Sequence, residues 1–264
     1  MFEELDTLYG KLQSVRPLSP ESVRRLSEDF MIDNTYNSNA IEGSTLTLEE
    51  TALVLKEGVT VGGKPLQHHL EAIGHRDAYL YVEDVVKSKT PVSERIIKDI
   101  HTLVLMDRQM DKGVYRSVPV RVGSFHPCQP YEVPIMMERL MLDYDGEMQG
   151  LHVVERAALF HLMFETIHPF IDGNGRVGRL LINLELMREG YPPVNVKFTD
   201  RTQYYDCFNH YRENDNDASK MIGLVEGYAI GELKRYIEIA EQSDALREQH
   251  PEDYCGEHED GQEP

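Results

Sequence analysis

The string HPFIDGNGRVGR at residues 168–179 constrains this chain more than any other stretch. Before it, Ala157, Ala158, Leu162 and Phe164 fall at helical spacing, and a second helical pattern begins near Gly175. The string is therefore a loop between two helices, ending where the second begins. Gly173, Asn174 and Gly175 let backbone N–H groups crowd round an anion at that helix N-terminus, where four donors lack partners and the dipole is positive. Arg176 and Arg179 stand three residues apart, so both reach one side, and guanidinium forks match phosphate oxygens. A di- or triphosphate is the implied guest. Asp172 is a hard oxygen ligand of the kind that holds magnesium when substrate phosphates complete the shell. His168 faces the phosphates from the other end of the loop, and an imidazole with an ordinary pKa of about 6.5 can take a proton from an attacking hydroxyl, or serve as a ligand.

Two other readings fail. GNGRVG satisfies GxGxxG, but a dinucleotide fold needs a buried strand before the first glycine, and the residues there read as helix. His161, Glu165 and His168 form H-x3-E-x2-H, which lacks the HExxH register of a zinc site.

The rest of the chain is mostly helical in pattern. Ser19-Pro20-Glu21 is a cap with proline at the first helical position, followed by Val23, Leu26, Phe30 and Met31, with Gly43 closing the region. Thr47 and Glu50 make a capping box for a short helix that Gly58 stops. Further helices are expected at about 67–87, 92–106, 132–144, 152–167, 176–189, 200–213 and 218–242. In 114–126, alternating valines around Pro119 and the Gly123-Ser124 pair predict a short β-hairpin or flap.

Composition narrows the partners. A formal charge of −19 repels a phosphate backbone and argues against nucleic acid. No stretch approaches a membrane span, the N-terminus lacks a signal peptide, and Cys128, Cys207 and Cys255 offer neither a disulfide framework nor CxxC spacing, so a soluble protein of the cytoplasm is expected. Residues 241–264 are acidic and poor in apolar groups, the composition of a disordered tail.

At every defined position the 168–179 string resembles the Fic family signature HxFx[DE]GNGRxxR. The resemblance implies an all-α Fic core with a short β-hairpin flap and an N-terminal helical region: 1–91 carrying an inhibitory helix at about 34–43, 92–240 as the Fic core, and 241–264 as the tail. It implies His168 as base, Asp172 on magnesium, Gly173, Asn174, Gly175 and Arg176 on the α- and β-phosphates, Arg179 on the γ-phosphate, and Phe170 as a core anchor. The 116–126 segment then resembles the flap along which a target protein lies, with Arg121, Val122, Gly123 and Ser124 bordering the nucleotide, and Tyr204 and Tyr205 resemble the tyrosine pair beside adenosine.

Ser38-Asn39-Ala40-Ile41-Glu42-Gly43 also matches [ST]xxxE[GN], carried by Fic proteins with an N-terminal inhibitory helix. Ser38 and Glu42 share a helix face, and Gly43 can end that helix. A pair between Glu42 and Arg179 would occupy the group the γ-phosphate needs. The expected activity is transfer of AMP from ATP to a Ser, Thr or Tyr hydroxyl of a protein, with magnesium, restrained by Glu42. Self-modification and a homodimer fit the same resemblance. The alternatives are another nucleotide donor, removal of AMP, or a nucleotide-sensing interaction module without turnover.

Overall fold

The computed structural model describes residues 2–16 and 20–249. Among them are ten α-helices: α1 (Glu3–Ser14), α2 (Pro20–Ile41), α3 (Leu48–Glu57), α4 (Leu66–Lys87), α5 (Glu94–Val104), α6 (Val133–Asp145), α7 (Val153–Ile167), α8 (Asn174–Arg188), α9 (Arg201–Glu213) and α10 (Ser219–Gln249). The Thr47 capping box forms as its sequence requires: Thr47 Oγ1 accepts from Glu50 N while the Glu50 carboxylate accepts from Thr47 N, and Gly58 closes α3 in the left-handed region.

The α7–α8 hairpin is the centre of the fold. One apolar cluster packs Leu162 of α7 and Ile182 and Leu186 of α8 against α1, α9 and α10. A second packs Phe160 and Phe164 of α7 and Val177, Leu180 and Leu184 of α8 against α4, α5 and α6. With apolar partners on both sides, α8 is buried almost all round, the condition in which an amphipathic stripe disappears. Phe170 anchors the intervening loop: it is fully buried and its ring stacks on His101 of α5 at 3.7 Å.

Helix α1 was not among the expected helices; Leu5 and Leu12 sit on one side of it and are buried against the body of the protein, where α1 packs along α10. Helix α10 runs to Gln249, into the stretch whose composition predicts disorder. The remainder of that tail, Cys255 included, and the expected cap Ser19 lie outside the described residues.

The expected β-hairpin flap is not there, and no β-strand occurs among the described residues. Residues 114–126 form an irregular loop with a single antiparallel bridge, Val122 to Phe125, turned by Gly123 at φ 59°. In that register the next hydrogen-bonded pair would be Val120 with Pro127, and proline has no N–H to give. One residue earlier on the other side, Pro119 has the same defect. The alternating valines signal extended backbone; the prolines forbid the ladder.

Candidate active site

His168 ends α7 with left-handed backbone, φ 51° and ψ 62°, a conformation costly for a residue with a Cβ and kept only where surrounding contacts enforce it. Arg116 supplies those contacts. Buried to 4% exposure, its Nε donates to His168 O at 2.8 Å and its Nη2 to Ile167 O at 3.4 Å. Its backbone N–H donates to Pro169 O at 2.9 Å. These are the carbonyls left unpaired at the end of α7, where the helix dipole favours a cation. Nη1 and Nη2 also donate to Val118 O and Cys128 O, at the two feet of the 118–128 loop. Nothing in the sequence singles out Arg116, because its partners are all carbonyls.

Across the loop, Asn174 is a clamp: its Oδ1 accepts from Phe170 N and its Nδ2 donates to Phe170 O, both at 2.9 Å. His101 accepts from Gly113 N at Nδ1, so Nε2 carries the proton and donates to Asp172 O at 3.0 Å. Burial pushes the His101 pKa down to about 4, keeping it neutral. The Asp172 carboxylate sits at the α8 N-terminus, accepting from Gly173 N at 2.6 Å and paired with Arg108 at 3.0 Å and Arg176 at 3.2 Å.

Beside the loop opens a cleft of about 460 Å³. His168, Gly175 and Arg179 line it, with Glu42 from the end of α2, Val122, Gly123 and Ser124 from the loop, and Tyr204 and Tyr205 from α9. Tyr204 is buried, its hydroxyl between His161 Nε2 at 2.8 Å and Arg179 Nη1 at 3.4 Å, while Tyr205 is 37% exposed beneath Arg201. Sequence reasoning missed Arg201, Phe208 and Arg212, which complete the α9 wall. Arg212 lies 4.4 Å over the ring of Phe125 and ties the loop to α9.

Other expected site residues stand apart. Arg121 is exposed and does not line the cleft, nor do Gly173, Asn174 and Asp172. Arg176 is 2% exposed and faces Glu71 of α4 at 3.4 Å as well as Asp172, so it braces the loop from behind. Ser38 is buried behind Arg179 and Gly43 forms the turn after α2 at φ 99°.

Arg179 is where these elements meet. It is 4% exposed; Nε donates to Ser38 Oγ at 3.0 Å, and Nη2 donates to Ser38 O and to Glu42 Oε1, each at 2.8 Å. Burial works against the charge, but Tyr204 and Glu42 outweigh it and hold the guanidinium above its ordinary pKa. The Glu42 oxygen also presses on the helix start: a Cβ on Gly175 would lie 2.3 Å from Glu42 Oε1 and 3.1 Å from Arg179 Nη1. Gly175 thus lets an anion touch the first turn of α8, and a carboxylate stands there.

A helical core thus brings an imidazole, the first turn of a helix and a buried arginine to one cleft. Comparison with known proteins is specific. The model of the Fic/DOC family matches residues 91–186. A Fic-domain signaling protein from Bacteroides thetaiotaomicron superposes with a TM-score of 0.84 at 30% identity, covering 90% of this chain and 97% of that one. Fic-1 from C. elegans superposes with a TM-score of 0.81 at 28% identity, covering 91% and 73%. The chain belongs to the Fic/DOC family. It is 37% identical over 221 residues to a protein adenylyltransferase Fic from Nematostella vectensis, covering 81% of this chain, and it spans 51%, about half, of that relative's length.

Proposed function

We propose that this protein transfers AMP from ATP to a Ser, Thr or Tyr hydroxyl of a protein, and that Glu42 restrains it. The carrying observation is the Glu42 carboxylate at the start of α8, bonded to Arg179 and touching Gly175, because an anion that stands where a phosphate would bind blocks it by like charge as well as by volume. The similarity to adenylyltransferases supports AMP as the transferred group.

In this reading the triphosphate lies along the α8 N-terminus and Arg179 exchanges Glu42 for the γ-phosphate. The target hydroxyl gives its proton to His168, its oxygen bonds to the α-phosphorus, and the bridging P–O bond breaks to release pyrophosphate. Tyr205 borders the base, and the target segment lies along residues 116–126. Among the described residues no group of three or more His, Cys, Asp or Glu side chains could hold a metal ion alone. Asp172 lies outside the cleft lining, but it is partly exposed at the same helix start as Gly175, and a single carboxylate there fits magnesium, which takes its other ligands from phosphates and water. Asp172 would hold it, and the ion would neutralise charge on the phosphates.

The test is incubation of wild type and Glu42→Gly with labelled ATP and magnesium, with adducts mapped by mass spectrometry in lysate and on the enzyme itself. Glu42→Gly is expected to raise incorporation at least tenfold, roughly the worth of one charge-assisted pair, and His168→Ala in that background to abolish it. No adduct on any protein would sink the proposal.

A further inference from the structure

We infer that Glu165 is the positioning partner of His168, a carboxylate that fixes the imidazole tautomer and stabilises its protonated form. The inference rests on the reading of His168 as the base. Glu165 lies one turn before His168 on α7, with its Oε2 3.3 Å from His168 Nδ1 and the two side chains 10% and 16% exposed. The approach falls short of a well-aligned hydrogen bond: among the described residues Nδ1 has no hydrogen-bond partner, Glu165 included, and Glu165 Oε1 is likewise buried and unpartnered. An unprotonated Nδ1 would set a lone pair against these oxygens, whereas Nδ1–H would turn a donor toward them. The proton therefore belongs on Nδ1, leaving Nε2 with the free lone pair that the target hydroxyl needs. Catalytic contacts of this kind are commonly long before substrate binds.

Neighbouring charge makes the carboxylate necessary. Arg179 of α8 and Arg201 and Arg212 of α9 line the same cleft, and only Glu42 and Glu165 oppose them. In the active state the triphosphate replaces Glu42 on Arg179, and of the two carboxylates lining the cleft Glu165 is the one that stays next to the imidazole. When the hydroxyl oxygen bonds to the α-phosphorus and pyrophosphate departs, the proton arrives on Nε2, and the imidazolium is balanced by Glu165. The packing reserves this place. A Cβ on Gly178 would lie 3.0 Å from Glu165 Oε1 and 2.4 Å from His161 Nδ1, so a side chain there would displace both. The fold keeps a glycine at the helix contact that seats Glu165.

The test compares Glu42→Gly with the same protein carrying Glu165→Gln or Glu165→Asp, measuring kcat, KM and Kd for ATP, and the pH dependence of kcat. Glu165→Gln is expected to lower kcat about 10- to 100-fold with ATP affinity within about twofold, and to move the acid limb of the profile to lower pH, because the imidazolium has lost its anion. Glu165→Asp should recover part of the rate. An unchanged kcat, or a lower kcat with the acid limb unmoved, would overturn the inference. In the Glu42→Gly protein itself, nitrogen NMR of His168 should show the proton on Nδ1; a proton on Nε2 would overturn it whether or not the variants fold. If Glu42→Gly incorporates no AMP, or incorporates it equally without His168, the underlying proposal has failed instead.

Discussion

At Arg179 the cost of burying a guanidinium is offset by Ser38, Tyr204 and Glu42, which surround it. If Glu42 withdraws, two neutral partners remain and Arg179 is left wanting an anion, so in the proposed mechanism the restraining contact would also prepare the site for a triphosphate. Arg116 illustrates the opposite case, a buried charge paired with no carboxylate and held by four carbonyls. Arg116→Ala would orphan carbonyls at the end of α7 and free both feet of the 118–128 loop. A loss of about 3 kcal/mol is expected from these charge-assisted bonds, read as a lower urea midpoint. Arg116→Lys should lose less but not be neutral, since one amine cannot span the fork. A loss under about 1 kcal/mol for the alanine variant would show that water replaces the guanidinium at no cost.

Among the elements, α2 carries the restraint but does not hold itself in place. Asp33 accepts from Asn195 Nδ2 at 2.9 Å and pairs with Lys197, and Asn37 Oδ1 accepts from Phe198 N at 2.8 Å. The segment leading into α9 thus grips the helix that carries Ser38 and Glu42. Asn37→Ala leaves Phe198 N unpaired and weakens that grip by about 1 kcal/mol, about a fivefold rise in the released fraction. Its AMP incorporation is expected to rise by that factor, below that of Glu42→Gly, with every cleft residue intact. A rate equal to wild type would mean that Asn37 adds nothing to the grip that Asp33 and the apolar contacts supply. The same scale shows what local sequence signals achieve. The Thr47 box and Gly58 fixed α3 at both ends because capping is settled within four residues. The 114–126 loop misled because a ladder depends on what lies opposite, and Pro127 stands opposite Val120.

For the molecule as a whole, three buried histidines set a pH dependence, His101 with its pKa of about 4 and two others pushed lower. His75 and His161 are fully buried, and burial followed by the Arg179 charge pushes each pKa down to about 3. Unfolded, each returns to about 6.5 and takes up a proton that the folded state refuses. Stability is therefore full above about pH 7 and falls as pH drops through the unfolded value. A loss of about 4 kcal/mol between pH 7.5 and 5.5 is expected for the three rings together, measured by urea unfolding before carboxylates titrate. A flat profile across that window would place a proton on these rings in the folded state.

The sequence by itself determined most of the helical content and the α7–α8 hairpin with its connecting loop. Those signals are local: spacing, caps, and a string whose residues have little use apart from an anion. It also named Glu42 and Arg179 as partners 137 residues apart, though only through the paired motifs. Tertiary packing decided what each residue of the string does. Arg176 and Asn174 look like ligands in the sequence, yet packing against α4 and the loop backbone turns them inward as braces. Glu165, Arg116 and Gly178 carry no motif: the first and last matter because α7 and α8 meet at one glycine, and Arg116 because four carbonyls converge on it. Composition can announce an anion site, but which oxygen and which nitrogen face it is fixed by close packing, where a single Cβ would move them.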